Sequence, residues 1–160
     1  MFYELNEYTI KPLELSELSL LAYDPKTLEE SVDYIYKYID IEGEIKNILK
    51  NQIKNVLHNK KNYIWYTSWL IIKNYEIVGL LYFNNYSPRK RSIWTTVSII
   101  DEYKDNCDEV LFLLYSFIKE NSKFKSVSVE SNISDSCFLN NNFFISDRNL
   151  FSTVWTKKTG

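Results

Sequence analysis

Metal-binding and redox side chains are nearly missing from this 160-residue chain, which holds one histidine and two cysteines. His58 has no second soft ligand near it in sequence, and Cys107 and Cys137 form no C-x-x-C pair. No metal is therefore expected, and both thiols are expected to be reduced. Three glycines and three prolines leave no material for a low-complexity tract or an interdomain linker. An excess of one charge is absent too: 19 Lys and Arg against 21 Asp and Glu give a net charge of -2. With no global field to draw it toward nucleic acid or an anionic membrane, the chain is expected to have neither as a partner. The longest apolar run, from Val110 to Ile118, is broken by Tyr115 and Ser116 and cannot span a bilayer. The acidic start Met1-Phe2-Tyr3-Glu4 does not read as a signal peptide. The expected location is the cytoplasm.

What is present fits one globular domain over residues 1–160. Hydrophobic residues make up 45% and charged residues 25%, a balance that favours a buried core over disorder. Aromatics reach 16%, with 13 tyrosines. The only basic run near them is Arg89-Lys90-Arg91, so core packing explains them better than base stacking. The triplet reads as a solvated turn, with an acidic acceptor or a coenzyme's adenosine phosphate as the alternative contact.

Periodicity then gives an order of elements. Tyr8 to Pro12 reads as a strand closed by proline, and Leu13 to Leu21 as a brief helix with Ser16 as cap. Leu28, Val32, Ile35, Tyr36 and Ile39 form one helical stripe. After Gly43 a second runs from Ile45 through Val56 and Leu57, ending on His58, whose polar ring suits exposed carbonyls. Tyr63 to Lys73 is aromatic and β-branched and reads as a strand covered on both faces. With Ile77–Phe83 and Ser92–Ile100 it makes an antiparallel meander. A helix from Cys107 to Asn121, a strand from Phe124 to Glu130 and a short helix from Ser134 to Asn141 follow. Phe143–Ile145 and Phe151–Thr156 supply the closing strands. The fold class is α/β of α+β type, a mostly antiparallel sheet of about six or seven strands flanked by about four helices.

This order, and three local matches, resemble the GNAT N-acetyltransferase superfamily over nearly the whole chain. Glu76-Ile77-Val78-Gly79 is similar to the family's third-strand entry. Val97-Ser98-Ile99-Ile100-Asp101-Glu102-Tyr103-Lys104 is similar to its fourth strand and the Pro-Glu-Tyr-Arg type of segment after it. Glu130-Ser131-Asn132, Ser134 and Asn142-Phe143 are similar to the asparagine-to-Gly-Phe stretch. The resemblance implies acetyl-coenzyme A as co-substrate and a primary amine as acceptor, in a monomer or homodimer. It also implies a splay between Ser92–Ile100 and Phe124–Glu130, with the backbone of Val97, Ser98 and Ile99 on the pantetheine arm and Asn132 beside it.

The pyrophosphate loop departs from the family's Gln/Arg-x-x-Gly-x-Gly/Ala. The window is Lys104-Asp105-Asn106-Cys107-Asp108-Glu109, with carboxylates where phosphate oxygens would meet helix amides. Read without a ligand, Asn106-x-x-Glu109 is a capping box. Phe138 stands where the family often places an acidic tyrosine and cannot donate a proton. Ser136 and Cys137 are the adjacent substitutes, and Glu130 is the candidate base. Acceptor choice would lie in Thr27–Asn59 and Ser146–Leu150. The other reading is a degenerate module of the same fold that binds without catalysing.

Overall fold

The structure, a computed structural model, describes residues 1–13, 54–56, 58–84, 86–150 and 152–158. The expected helices at Leu13–Leu21 and after Thr27, with the cap Ser16, lie outside the described residues. So does most of the second stripe; its end is helical at 54–56 and 58. His58 there sits with Nδ1 2.8 Å from the Lys54 carbonyl. A carbonyl only accepts, so Nδ1 carries the hydrogen and His58 satisfies a helix-end carbonyl as its position suggested.

One mixed sheet organises the chain. Its strands are β1 (Tyr3–Leu5), β2 (Tyr8–Pro12), β3 (Trp69–Lys73), β4 (Glu76–Asn84), β5 (Ser92–Ile99), β6 (Ser126–Ser131), β7 (Phe144–Arg148) and β8 (Thr153–Lys158). They lie in the order β1-β2-β3-β4-β5-β6-β8-β7. Every neighbouring pair is antiparallel except β5 with β6. The sheet thus has eight strands, more than the sequence suggested, because Tyr3–Leu5 folds back on β2 through Asn6, which takes φ 55.

The meander is as expected, and its first turn shows why. Lys73 pairs with Glu76, leaving a two-residue loop with φ 50 at Asn74 and 67 at Tyr75, the left-handed pair a tight hairpin requires. Tyr63–Tyr66, however, is a short helix, α1, and not the start of β3. Its Trp65 stacks on Tyr86 at 5.2 Å and meets Phe117 at 4.9 Å and Phe83 at 5.0 Å. Aromatic composition is a local strand signal, and tertiary packing overrides it here.

The long helix α2 (Asp108–Asn121) crosses the sheet with Val110, Leu111, Leu114, Phe117 and Ile118 buried. Phe117 closes on Trp69 at 4.5 Å, and burying one such ring contributes about 2 to 3 kcal/mol. The last helix, α3 (Asp135–Asn140), buries Cys137 and Phe138. Phe138 lies flat on Trp155 of β8 at 4.8 Å, so this residue, which has no proton to donate, is a packing post between α3 and the sheet.

Candidate active site

The single parallel pair sets the site. A crossover through α2 is what lets β6 run alongside β5 in the same direction, from Ser92↔Ser126 to Val97↔Ser131. The expected splay is therefore not a gap along these strands: pairing is continuous to the last residue of β6. Divergence begins only at Ser98 and Ile99, which have no β6 partners. Even there the gap is bridged. Asn132 Oδ1 accepts from the Ile99 amide at 3.0 Å, and its Nδ2 donates to the Ile99 carbonyl at 2.6 Å.

At that strand end lies a cavity of about 240 Å³ lined by Thr96, Val97, Ser98, Glu130, Ser131, Asn132, Ser152 and Thr153. It adjoins a second of about 390 Å³ through the shared Ser131, Ser152 and Thr153. The second is edged by Arg148 and Asp135, whose charges lie 3.6 Å apart on exposed side chains, a pair worth under about 1 kcal/mol. Val97, Ser98, Glu130 and Asn132 are thus brought to one cavity. Ile99 is withdrawn from it by its bonds to Asn132, and Ser136 is exposed on α3 and lines neither cavity. Thr96, Ser131, Ser152 and Thr153 are site residues that sequence reading missed. Small hydroxyl residues carry no pattern of their own, and only the β6–β8 register, Glu130↔Val154, brings 152–153 beside β6.

The window 104–109 forms the turn before α2. Asn106 is not the cap: Cys107 is, its own side chain makes no capping bond, and among the described residues no other side chain bonds the first helix amides. The capping box expected of Asn106 and Glu109 does not form, because each acid is turned aside. Asp105 accepts from the Ser134 hydroxyl, Asp108 from Asn140 Nδ2 at 2.8 Å, and Glu109 from Asn6 Nδ2 at 3.2 Å. Lys104 contributes its carbonyl, which accepts from the Ser134 amide at 2.9 Å. Tyr8 fixes the turn from beneath, its hydroxyl donating to the Asn106 carbonyl at 2.8 Å. Cys107 and Cys137 are fully buried free thiols with sulfurs 3.7 Å apart. Contact with Cys137 and burial push the Cys107 thiol well above its ordinary range, which suits packing and not reactivity.

No protein-family model matches the sequence, and no curated protein does. Solved structures match throughout. Ribosomal-protein-S5-alanine acetyltransferase from Vibrio fischeri aligns with a TM-score of 0.64 at 8% identity, over 99% of this chain and 96% of its own. An acetyltransferase from Salmonella typhimurium that modifies the N-terminal serine of a 50S ribosomal subunit protein gives 0.60 at 10% identity, over 98% and 97%. RimL, a ribosomal α-N-protein acetyltransferase in complex with coenzyme A, gives 0.60 at 12%, over 99% and 98%. The chain has the fold of the GNAT acetyltransferases.

Among the described residues no group of three or more His, Cys, Asp or Glu is placed to hold a metal, and no helix is long and apolar enough to cross a membrane. Coenzyme A, which the fold implies, can be tested against the residues present. The Cys107 side chain makes no capping bond and the Val110 amide already donates to the Cys107 carbonyl at 3.1 Å, which leaves the Asp108 and Glu109 amides, with no side-chain partner among the described residues, as the groups an anion would meet. Val97 and Ser98 border a cavity one strand end away. The residues fit at both places, with Ile99 added only when Asn132 releases it.

Proposed function

We propose that this protein transfers an acetyl group from acetyl-coenzyme A directly to a primary amine, with no covalent enzyme intermediate. The observation that carries this reading is the cavity at the end of the parallel β5–β6 pair, which Thr96, Val97 and Ser98 line together with Glu130. Bound acetyl-coenzyme A supplies the activated acetyl carbon. Glu130 takes the proton that the acceptor ammonium must lose before its nitrogen can attack, through a water where the distance demands it. The Ile99 amide, once Asn132 releases it, stabilises negative charge on the carbonyl oxygen. Phe138 has no proton to give, so the departing thiolate takes one from solvent. The opening amides of α2 hold the pyrophosphate, weakened by Asp105, Asp108 and Glu109 nearby. The neighbours named above act on ribosomal proteins. A protein α-amine is the acceptor class that likeness favours, with a cytoplasmic location.

A second reading, a binding module that has lost catalysis, is favoured by one specific contact: Asn132 occupies both free backbone groups of Ile99. Glu130→Gln separates the two. Acetyl transfer to a peptide amine, followed by thiol release, is expected to fall about 100-fold or more in the variant with little change in acetyl-coenzyme A affinity. Equal turnover in wild type and variant rejects Glu130 as base, and no turnover in either favours the module.

A further inference from the structure

The chain's near-zero net charge conceals a cluster of cations that the described residues gather at one end of the sheet. β5 and β6 begin side by side: the amides of Lys125 and Ser126 both donate to the Arg91 carbonyl, at 2.6 and 3.3 Å. That contact seats the loop carrying Arg89, Lys90 and Arg91 against the last turn of α2 and the connection to β6, which carry Lys119, Lys123 and Lys125. β8 ends at the same place, with Lys158 paired to Ser126. The turn holding Lys60 and Lys61 runs into α1, whose Trp65 and Tyr66 pack on Tyr86 at the base of the same loop. The six side chains of the loop, the last turn of α2 and the connection are all exposed, and none has an ion-pair partner among the described residues. The one carboxylate on these segments, Glu120, already accepts from the Tyr3 hydroxyl at 2.8 Å.

The surface is also concave. Lys119, Lys123 and Lys125, with Ser122 and Phe124, line a cavity of about 330 Å³, and a cleft walled by one sign of charge focuses the potential inside it. Neutralising the carboxyl end of α2 accounts for Lys119 alone, since that effect falls off within the last turn. The remaining cations lie on loops and a strand end, where no helix dipole asks for them.

We infer that this end binds the phosphodiester backbone of a nucleic acid. The choice of partner follows from what the surface lacks. Protein interfaces draw their affinity from aromatic or aliphatic anchors, and none of the exposed large hydrophobic side chains falls on residues 86–92, 119–126 or 157–158. A phosphate backbone needs no such anchor: it is held by cations alone and without sequence preference. Sequence reading set nucleic acid aside because acidic and basic residues nearly balance and leave no global field; the parallel pairing of β5 with β6 is what gathers basic residues at one end. The cofactor's phosphates are not the target, because β5 separates Arg91 from the candidate site by about 20 Å.

Fluorescence anisotropy of a fluorescein-labelled oligouridylate of about 20 nucleotides tests this on the full chain. Wild type is expected to bind at low salt with a log K that falls steeply with log salt. Lys119→Glu/Lys123→Glu and, from the other loop, Arg89→Glu/Arg91→Glu are each expected to weaken binding about tenfold or more. Lys104→Glu/Arg148→Glu makes the same change in net charge at the far strand ends and is expected to leave affinity within about twofold. Circular dichroism checks that all three variants are folded. The inference is overturned by absence of binding at low salt, by equal losses in all three variants, or by a polyglutamate peptide that competes as well as unlabelled oligouridylate.

Discussion

Tyr8 holds two jobs at once, core residue and anchor of the turn before α2. Its side chain is 2% exposed, and burial, followed by the nearby Cys107 and Glu109, pushes its phenol above the ordinary value of 10.0. A group whose pKa is raised by folding keeps its proton where the unfolded chain loses it. Its contribution is complete below about pH 10 and disappears as pH climbs further. Tyr8→Phe is expected to lower stability by about 1 kcal/mol at neutral pH through the lost Asn106 bond. It is also expected to shrink the drop in urea midpoint between about pH 9 and pH 11; an unchanged drop would place the alkaline sensitivity elsewhere. Thr95 is the opposite case, 1% exposed with a hydroxyl that has no hydrogen-bond partner in the structure. Thr95→Val exchanges that hydroxyl for a methyl of similar size. Urea denaturation is expected to show a gain of about 1 kcal/mol. At this scale the sequence displayed types without partners. That Asp105, Asp108 and Glu109 are drawn to Ser134, Asn140 and Asn6 depends on residues up to about a hundred positions away, which no local pattern encodes.

Elements were easier to read wherever burial and chain direction agree. The meander, α2 and β8 follow from apolar strand runs and from a helical stripe, because each buries apolar residues in the core, whereas β7 is exposed along its whole length. The misread element was α1, where Trp65 serves the aromatic cluster and not a strand face. Gly79 shows how an element's sequence can matter to the site from the strand next door. It pairs with Ile99, and a Cβ there would collide with the Ser98 carbonyl oxygen and press on Ile99 at 3.0 Å. The obstacle is backbone, which cannot swing aside. Gly79→Ala is expected to cost about 1 to 3 kcal/mol and to push the end of β5 away from β4, at the edge of the candidate cavity. A thermal melt unchanged from wild type would mean that β5 moves freely. The sequence marked this glycine as part of a strand entry, but the close approach that demands it is a cross-strand fact.

At the scale of the whole sheet, the described residues are charged in opposite senses at its two ends. The strand ends that form the candidate site carry Glu7, Glu76, Asp101, Glu102 and Glu130, while the other end gathers the arginines and lysines of 89–91 and 119–125. α2 lies along this axis with Asp108 and Glu109 in its first turn and Lys119 in its last, the arrangement its dipole favours. The same acids weaken an anion arriving at the first amides, so affinity for a phosphorylated co-substrate is set by a contest between open N–H groups and neighbouring carboxylates. Composition recorded only the sum of those charges. Isothermal titration of the protein with acetyl-coenzyme A reads the contest directly. Saturable one-site binding with Kd from micromolar to a few hundred micromolar, tightening as ionic strength rises from very low to moderate and the acids are screened, is the result expected. No heat of binding at millimolar ligand would contradict the acetyl-transfer reading.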